Sequence, residues 1–174
     1  DGVGRKLSQT DGNDHTTTFT YDENDNLLST TNPNGNFIVY TYDATGNKIS
    51  KTDQKGNTYQ YSYDENGNLV SKTGPLGNIT LYTYDALDRK VSMTDARGNT
   101  TTYSYDAIGN LVKVENPLGN ITTHSYDPSG NRIATTNPLG QTTSFTYDSL
   151  NQKTSTTDPL GNTASKTYDA LGRV

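Results

Sequence analysis

Cysteine and tryptophan are absent from this chain of 174 residues, methionine occurs once and histidine twice. Without cysteine there can be no disulfide and no thiolate metal site, although that alone does not fix the compartment. Long apolar runs are missing too: nothing approaches the roughly 20 residues of a membrane-spanning helix. No basic run occurs, and 14 Lys and Arg stand against 19 Asp and Glu, a balance that argues against a phosphate-tracking surface. Leu, Ile, Val and Phe together number only 29, fewer than a packed core of this size usually needs. No signal peptide is visible, which is uninformative in a chain that starts without Met.

What is present is a repeat. Tyr-Asp recurs as Tyr21-Asp22, Tyr42-Asp43, Tyr63-Asp64, Tyr84-Asp85, Tyr105-Asp106, Tyr126-Asp127, Tyr147-Asp148 and Tyr168-Asp169, always 21 residues on, and Asp1 falls in the same phase. Thr occurs 30 times and Tyr 13 times, both strand formers, and the net charge of −5 is low for a disordered chain. Residues 1–174 therefore read as a single array of eight units and a partial ninth, with no linker. Each unit can bury little, so stability has to come from stacking neighbours.

Two turn signals divide each unit. The first begins at the Asp of Tyr-Asp and carries Gly, Asp or Asn at its fourth position, residues that tolerate a left-handed backbone. The second reads Asp/Asn-Pro-Leu-Gly-Asn in its fullest copies, and its turn glycines are Gly35, Gly56, Gly77, Gly98, Gly119, Gly140 and Gly161. Between them lie two strands of about six residues, as in Asn68–Thr73 and Thr100–Tyr105. The first holds an aliphatic column (Leu7, Leu28, Ile49, Val70, Val91, Val112, Ile133) that Thr154 interrupts. The second has Phe19, Tyr40, Tyr61, Tyr82, Tyr103, His124, Phe145 or Lys166 two residues before each Tyr of Tyr-Asp, on the same face of the strand.

These features predict an all-β fold without helices: tandem hairpins in one continuous, spiralling antiparallel sheet of some 16 strands, about 75 Å long at ~4.8 Å per strand. A parallel β-solenoid is the alternative. It would stack the repeated Asp residues in one like-charged column, which is unfavourable. A hairpin closed by the Pro-Leu-Gly turn puts Val70 opposite Tyr82, so the aliphatic and aromatic columns are expected on one face, with Ser, Thr and the Leu/Lys column of residues 6, 27, 48, 69, 90, 111, 132 and 153 on the other.

No residue constellation is unique, which argues against an enzyme and leaves no catalytic residue, metal ligand or cofactor to name. His124 reads as a substituted Tyr, and His15 fills the slot of a turn's last Asn. The repeated Asp reads as a cap on its own turn rather than a calcium ligand, since Ca²⁺ needs six to eight oxygens. The aromatic row suits core packing first and glycan stacking second. The sequons at Asn78, Asn99 and Asn120 arise from the turn sequence.

Tyr105–Val112 (YDAIGNLV), Asn116–Thr123 (NPLGNITT) and Tyr168–Val174 (YDALGRV) resemble the Rhs, or YD, repeat family, and the resemblance covers every repeat. It implies a spiralling sheet of hairpins, found in hollow shells around toxin domains and in extracellular modules of bacterial cell-surface and teneurin-type proteins. The family's Asp-Pro-x-Gly autoprotease signature is matched by Asp158-Pro159-Leu160-Gly161, but this stretch is an ordinary repeat unit and proteolysis is not carried over. Shell-forming members vary in repeat length, whereas these repeats do not. The expected role is therefore a secreted, extracellular or cell-surface structural filament or tube, with a toxin-enclosing shell wall or a glycan-binding module as alternatives. The expected partners are further copies of the repeat, with glycans or an enclosed toxin domain as alternatives, and no nucleic acid or membrane span.

Overall fold

The computed structural model describes residues 1–174. It is all-β, with sixteen strands that follow one another in chain order through one sheet. Two compact units are formed, Asp1–Arg89 with Thr94–Gly98, and Lys90–Met93 with Asn99–Val174. The first holds β1 (Ser8–Thr10), β2 (Thr16–Tyr21), β3 (Leu27–Thr31), β4 (Phe37–Tyr42), β5 (Lys48–Thr52), β6 (Thr58–Tyr63), β7 (Leu69–Thr73) and β8 (Ile79–Tyr84). The second holds β9 (Lys90–Thr94) as far as Met93, β10 (Thr100–Tyr105), β11 (Leu111–Glu115), β12 (Ile121–Tyr126), β13 (Arg132–Thr136), β14 (Thr142–Tyr147), β15 (Lys153–Thr157) and β16 (Thr163–Ser165). Neighbouring strands pair antiparallel from β1 to β8 in the first unit and from β10 to β16 in the second. That excludes the solenoid.

Both turns have one geometry. In the first, Asp22 N–H donates to the Asn26 carbonyl (3.0 Å) and Asp25 N–H to the Asp22 carbonyl (3.3 Å). In the second, Asn116 N–H donates to Asn120 (3.0 Å) and Gly119 N–H to Asn116 (2.9 Å). The fourth residue is left-handed: φ is 78° at Gly119, 68° at Asp25 and 59° at Asn151. This is a three-residue hairpin loop ending in a left-handed position, and Asp and Asn substitute for Gly as the sequence indicated.

The facing is different from the expectation, because six of the Tyr-Asp hairpins carry a β-bulge. Across the second turn the register is as read: Ser71 lies opposite Leu81 and Thr73 opposite Ile79. Across the first, Tyr42 pairs with Lys48 but Thr41 with Ser50, leaving Ile49 extra, and the same shift recurs in five further hairpins. The physical reason is parity. In an uninterrupted ladder successive residues alternate faces, so a 21-residue step would present successive copies to opposite sides. One bulged residue per repeat restores an even step and keeps the Tyr-Asp tyrosines of a unit on one face.

The bulge sends the aliphatic column to the hydroxyl face and the Leu/Lys column to the aromatic one. Thr154, in the aliphatic slot, shares a hydrogen bond with Thr146 (2.8 Å), which also bonds Ser155 (2.7 Å). Ile49 lines a shallow groove with Thr41, Ser50 and Gln60. In the Leu/Lys slot, the Lys48 ammonium stands 5.4 Å from the Tyr40 ring centre and 5.8 Å from that of Tyr61. The placement of Val70 beside the aromatic layer is thus corrected.

No side chain is fully buried. The hydroxyl face alternates as the exposed set and the aromatic face as the half-buried one, as in Ile121–Tyr126.

Candidate functional site: the Tyr-Asp turns

The tyrosine of each Tyr-Asp pair joins its repeat to the one before. The Tyr126 hydroxyl donates to the Leu111 carbonyl at 2.9 Å. The same bond runs from Tyr42 to Leu27 (2.9 Å), Tyr63 to Lys48 (3.0 Å), Tyr84 to Leu69 (3.0 Å) and Tyr105 to Lys90 (2.8 Å). Tyr21, Tyr147 and Tyr168 reach Lys6, Arg132 and Lys153 in the same way. In six of these bonds the acceptor is the residue just before a bulge, so the hydroxyl supplies a donor where the backbone ladder is interrupted. Phe could not do this, and no Phe stands in this position, although Phe19 and Phe145 occupy the position two residues earlier.

The aspartate holds its own turn. Asp106 Oδ1 accepts the N–H groups of Ile108 (3.1 Å) and Asn110 (2.8 Å), and Oδ2 accepts Asn110 Nδ2 (2.9 Å). Asp22, Asp43, Asp64, Asp85, Asp127 and Asp169 repeat this pattern, with Arg89 or Arg173 replacing Asn in two of them. Asp148 accepts Leu150 and Gln152 N–H (both 2.9 Å). The donors to each carboxylate stabilise its charged form, and the pKa is pulled below the usual 3.8 in Asp22, Asp43, Asp85 and Asp127, side-chain donors contributing most. The carboxylates a calcium reading would need are occupied by their turns.

The second turn uses the same device with Asn or Asp: Asn116 accepts from Leu118 (3.0 Å) and Asn120 (3.0 Å). Asp158 accepts from Leu160 (2.9 Å) and Asn162 (2.8 Å), so the Asp-Pro-Leu-Gly stretch has ordinary turn geometry. Gly35, Gly56, Gly77, Gly98, Gly119, Gly140 and Gly161 all sit at positive φ. Gly74 opens the one such turn with no side chain to accept, and only the backbone bonds remain there.

His15 fills the Asn slot as expected, its N–H donating to Asp11 Oδ1 (3.1 Å) while Nδ1 lies 3.2 Å from Oδ2. His124 lies among the aromatics with Nδ1 3.1 Å from Thr135 Oγ1; burial, then Arg132, pulls its pKa down. The aromatic rings are faced by cations: Lys90 over Tyr103 (4.8 Å), Arg132 and Lys153 over Phe145 (5.5 and 5.3 Å).

Sequence reasoning missed the tyrosine clasp, because its acceptor is a main-chain carbonyl without a side-chain signature. The odd repeat length was the available signal for the bulge. No helix is long and apolar enough to cross a membrane.

Tandem hairpins, each closed by an Asp turn and tied to its predecessor by a tyrosine, define a repeat protein whose unit is one hairpin and whose signature is Tyr-Asp. The RHS Repeat family model matches residues 1–36, 21–58, 42–79, 63–100, 91–121, 105–142, 126–163 and 147–174. The chain belongs to this family. No curated protein matches it. Among solved structures it is similar to a chain of the TcdB2-TccC3-Cdc42 crystal structure (TM-score 0.74, 19% identity, 90% of this chain). It is also similar to a chain of the Photorhabdus luminescens Tc holotoxin pore carrying a TccC3 mutation (TM-score 0.72, 19% identity, 89% of this chain). A TcdB2-TccC3 structure without the hypervariable C-terminal region gives 0.73 over 91%, at 19% identity. The chain spans 10% of the length of each of these.

Proposed function

We propose that this chain is a strip of wall from an Rhs-type shell, a non-enzymatic scaffold outside the cell that encloses another segment of its own protein, a toxin domain in the family's best-known use. The observation that carries this reading is the fold correspondence, over 90% of the chain, with a protein of a Tc toxin complex. The site supports it. The side chains of each Tyr-Asp pair hold a turn and tie two repeats, and this pair recurs at each repeat, which suits a surface made by repetition.

A filament is the second reading, favoured by the constant 21-residue spacing, which gives each repeat the same stagger. Glycan binding is weaker, because ammonium and guanidinium groups already lie over ring faces that a sugar would use.

Limited proteolysis of the full-length protein tests the wall reading. An enclosed segment resists protease until denaturant opens the array, and then becomes sensitive together with it. A non-repeat segment cut at once in native buffer, with the array intact, overturns the reading.

A further inference from the structure

Two Asn-Gly pairs occur in the chain, Asn34-Gly35 and Asn66-Gly67, each at the third and fourth positions of a turn. We infer that Asn34 is a site of spontaneous deamidation and that its counterpart Asn66 is protected by the neighbouring repeat. In this reaction the Gly backbone nitrogen attacks the Asn Cγ, forming a succinimide and releasing ammonia. Water then opens the ring to aspartate or isoaspartate, so the nitrogen lost is balanced by oxygen from solvent. Glycine suits the step because it has no Cβ to obstruct the approach, and nothing lies within 4 Å of where a Gly35 Cβ would be.

The two sites share most of their geometry. Both asparagines are exposed, both glycines have φ near 80° (78° and 83°), and both glycine N–H groups donate to the turn's first carbonyl (2.9 and 3.1 Å). The difference lies in the carboxamide. Asn66 Nδ2 donates to Asp88 Oδ1 of the next Tyr-Asp turn at 2.9 Å, and Asn68 Nδ2 shares that acceptor at 2.7 Å. Asn34 makes a backbone contact to Asn32 Oδ1 (3.0 Å), but its carboxamide makes no hydrogen bond. To react, Asn66 must give up a charge-assisted hydrogen bond, and its product would set a new carboxylate against Asp88. Both sites must free the glycine N–H, but the Asn34 carboxamide itself has no hydrogen bond to give up. Gly67 N–H also faces the Asp64 carboxylate, where the turn of Asn34 has the neutral Asn32, which adds to the difference.

Isoaspartate lengthens the main chain by one carbon, so reaction at Asn34 would misfit the loop between β3 and β4 and make that hairpin the ageing point of the array. The test is peptide mass spectrometry on the full chain held in mildly alkaline buffer, following the one-dalton gain and the isoaspartate content at both sites. Asn34 is expected to convert at least about tenfold faster than Asn66, the factor one charge-assisted hydrogen bond supplies. Asp88→Gly, which installs the residue other repeats carry at this left-handed position, should reduce that ratio about tenfold. Asp88→Asn, which keeps a neutral acceptor there, should fall between. Reading the ratio makes Asn34 an internal reference for any general loosening. Equal rates in the parent chain, or a ratio unmoved by both variants, overturns the proposal.

Discussion

Tyr126 and Leu111 stand fifteen residues apart in the chain, yet the hydroxyl of one rests 2.9 Å from the carbonyl of the other. The bond spans two hairpins and recurs at every Tyr-Asp. Replacing Tyr126 with Phe should keep the ring and lose the donor, costing about 1 kcal/mol. Tyr61→Phe should be nearly neutral, since Phe19 and Phe145 already serve in that column. Urea unfolding of both variants checks the contrast, and equal costs would count against the clasp.

Gly74 is where a turn lacks its acceptor. Its φ is not left-handed, and an added Cβ would meet only the Asn78 carbonyl at an ordinary 3.7 Å. Gly74→Asn should therefore stabilise the array by about 1 kcal/mol, through restored turn hydrogen bonds and a less flexible unfolded chain. A raised urea midpoint at unchanged slope is the expected result.

The opposite change is Gly119→Val. At φ 78° a β-branched residue is strained, and about 2 kcal/mol of local stability should be lost. Hydrogen exchange should quicken in β11 and β12 and remain slow in distant repeats, as expected when each repeat contacts only its neighbours.

Acid should open the array from its turns. The donors to Asp22, Asp43, Asp85 and Asp127 lower their folded pKa values below 3.8. A depressed carboxylate pKa contributes stability that is present above about pH 3.8 and is lost as pH falls through the lower folded value. Tyr42, Tyr63 and Tyr84 are pushed above 10.0, chiefly by burial; their contribution holds below that pH and disappears as it rises through the folded value. Stability measured across pH should fall beyond both limits and, between them, decline only as pH drops past about 6.5, because the folded pKa of His124 is lowered and the unfolded chain takes up that proton first.

Much of this fold was legible in the sequence because turns are local. Left-handed Gly, Asp and Asn at a fixed offset mark the loops, and the strand Thr100–Tyr105 is bounded as read. The facing of Ile49 and Val70 was not, since a bulge needs no special residue and Ile49 occupies it without a glycine or proline to mark the place. Only the arithmetic of an odd repeat in a period-two ladder betrays it. The clasp was hidden for another reason: Tyr105 announces a donor, but the Lys90 carbonyl it meets belongs to the backbone and could be any residue's.

Electron microscopy of the full-length protein tests the central claim most directly. A closed hollow particle whose wall resolves into consecutive antiparallel hairpins is the expected result. An extended filament enclosing no volume, built of the same hairpins, would contradict the wall reading.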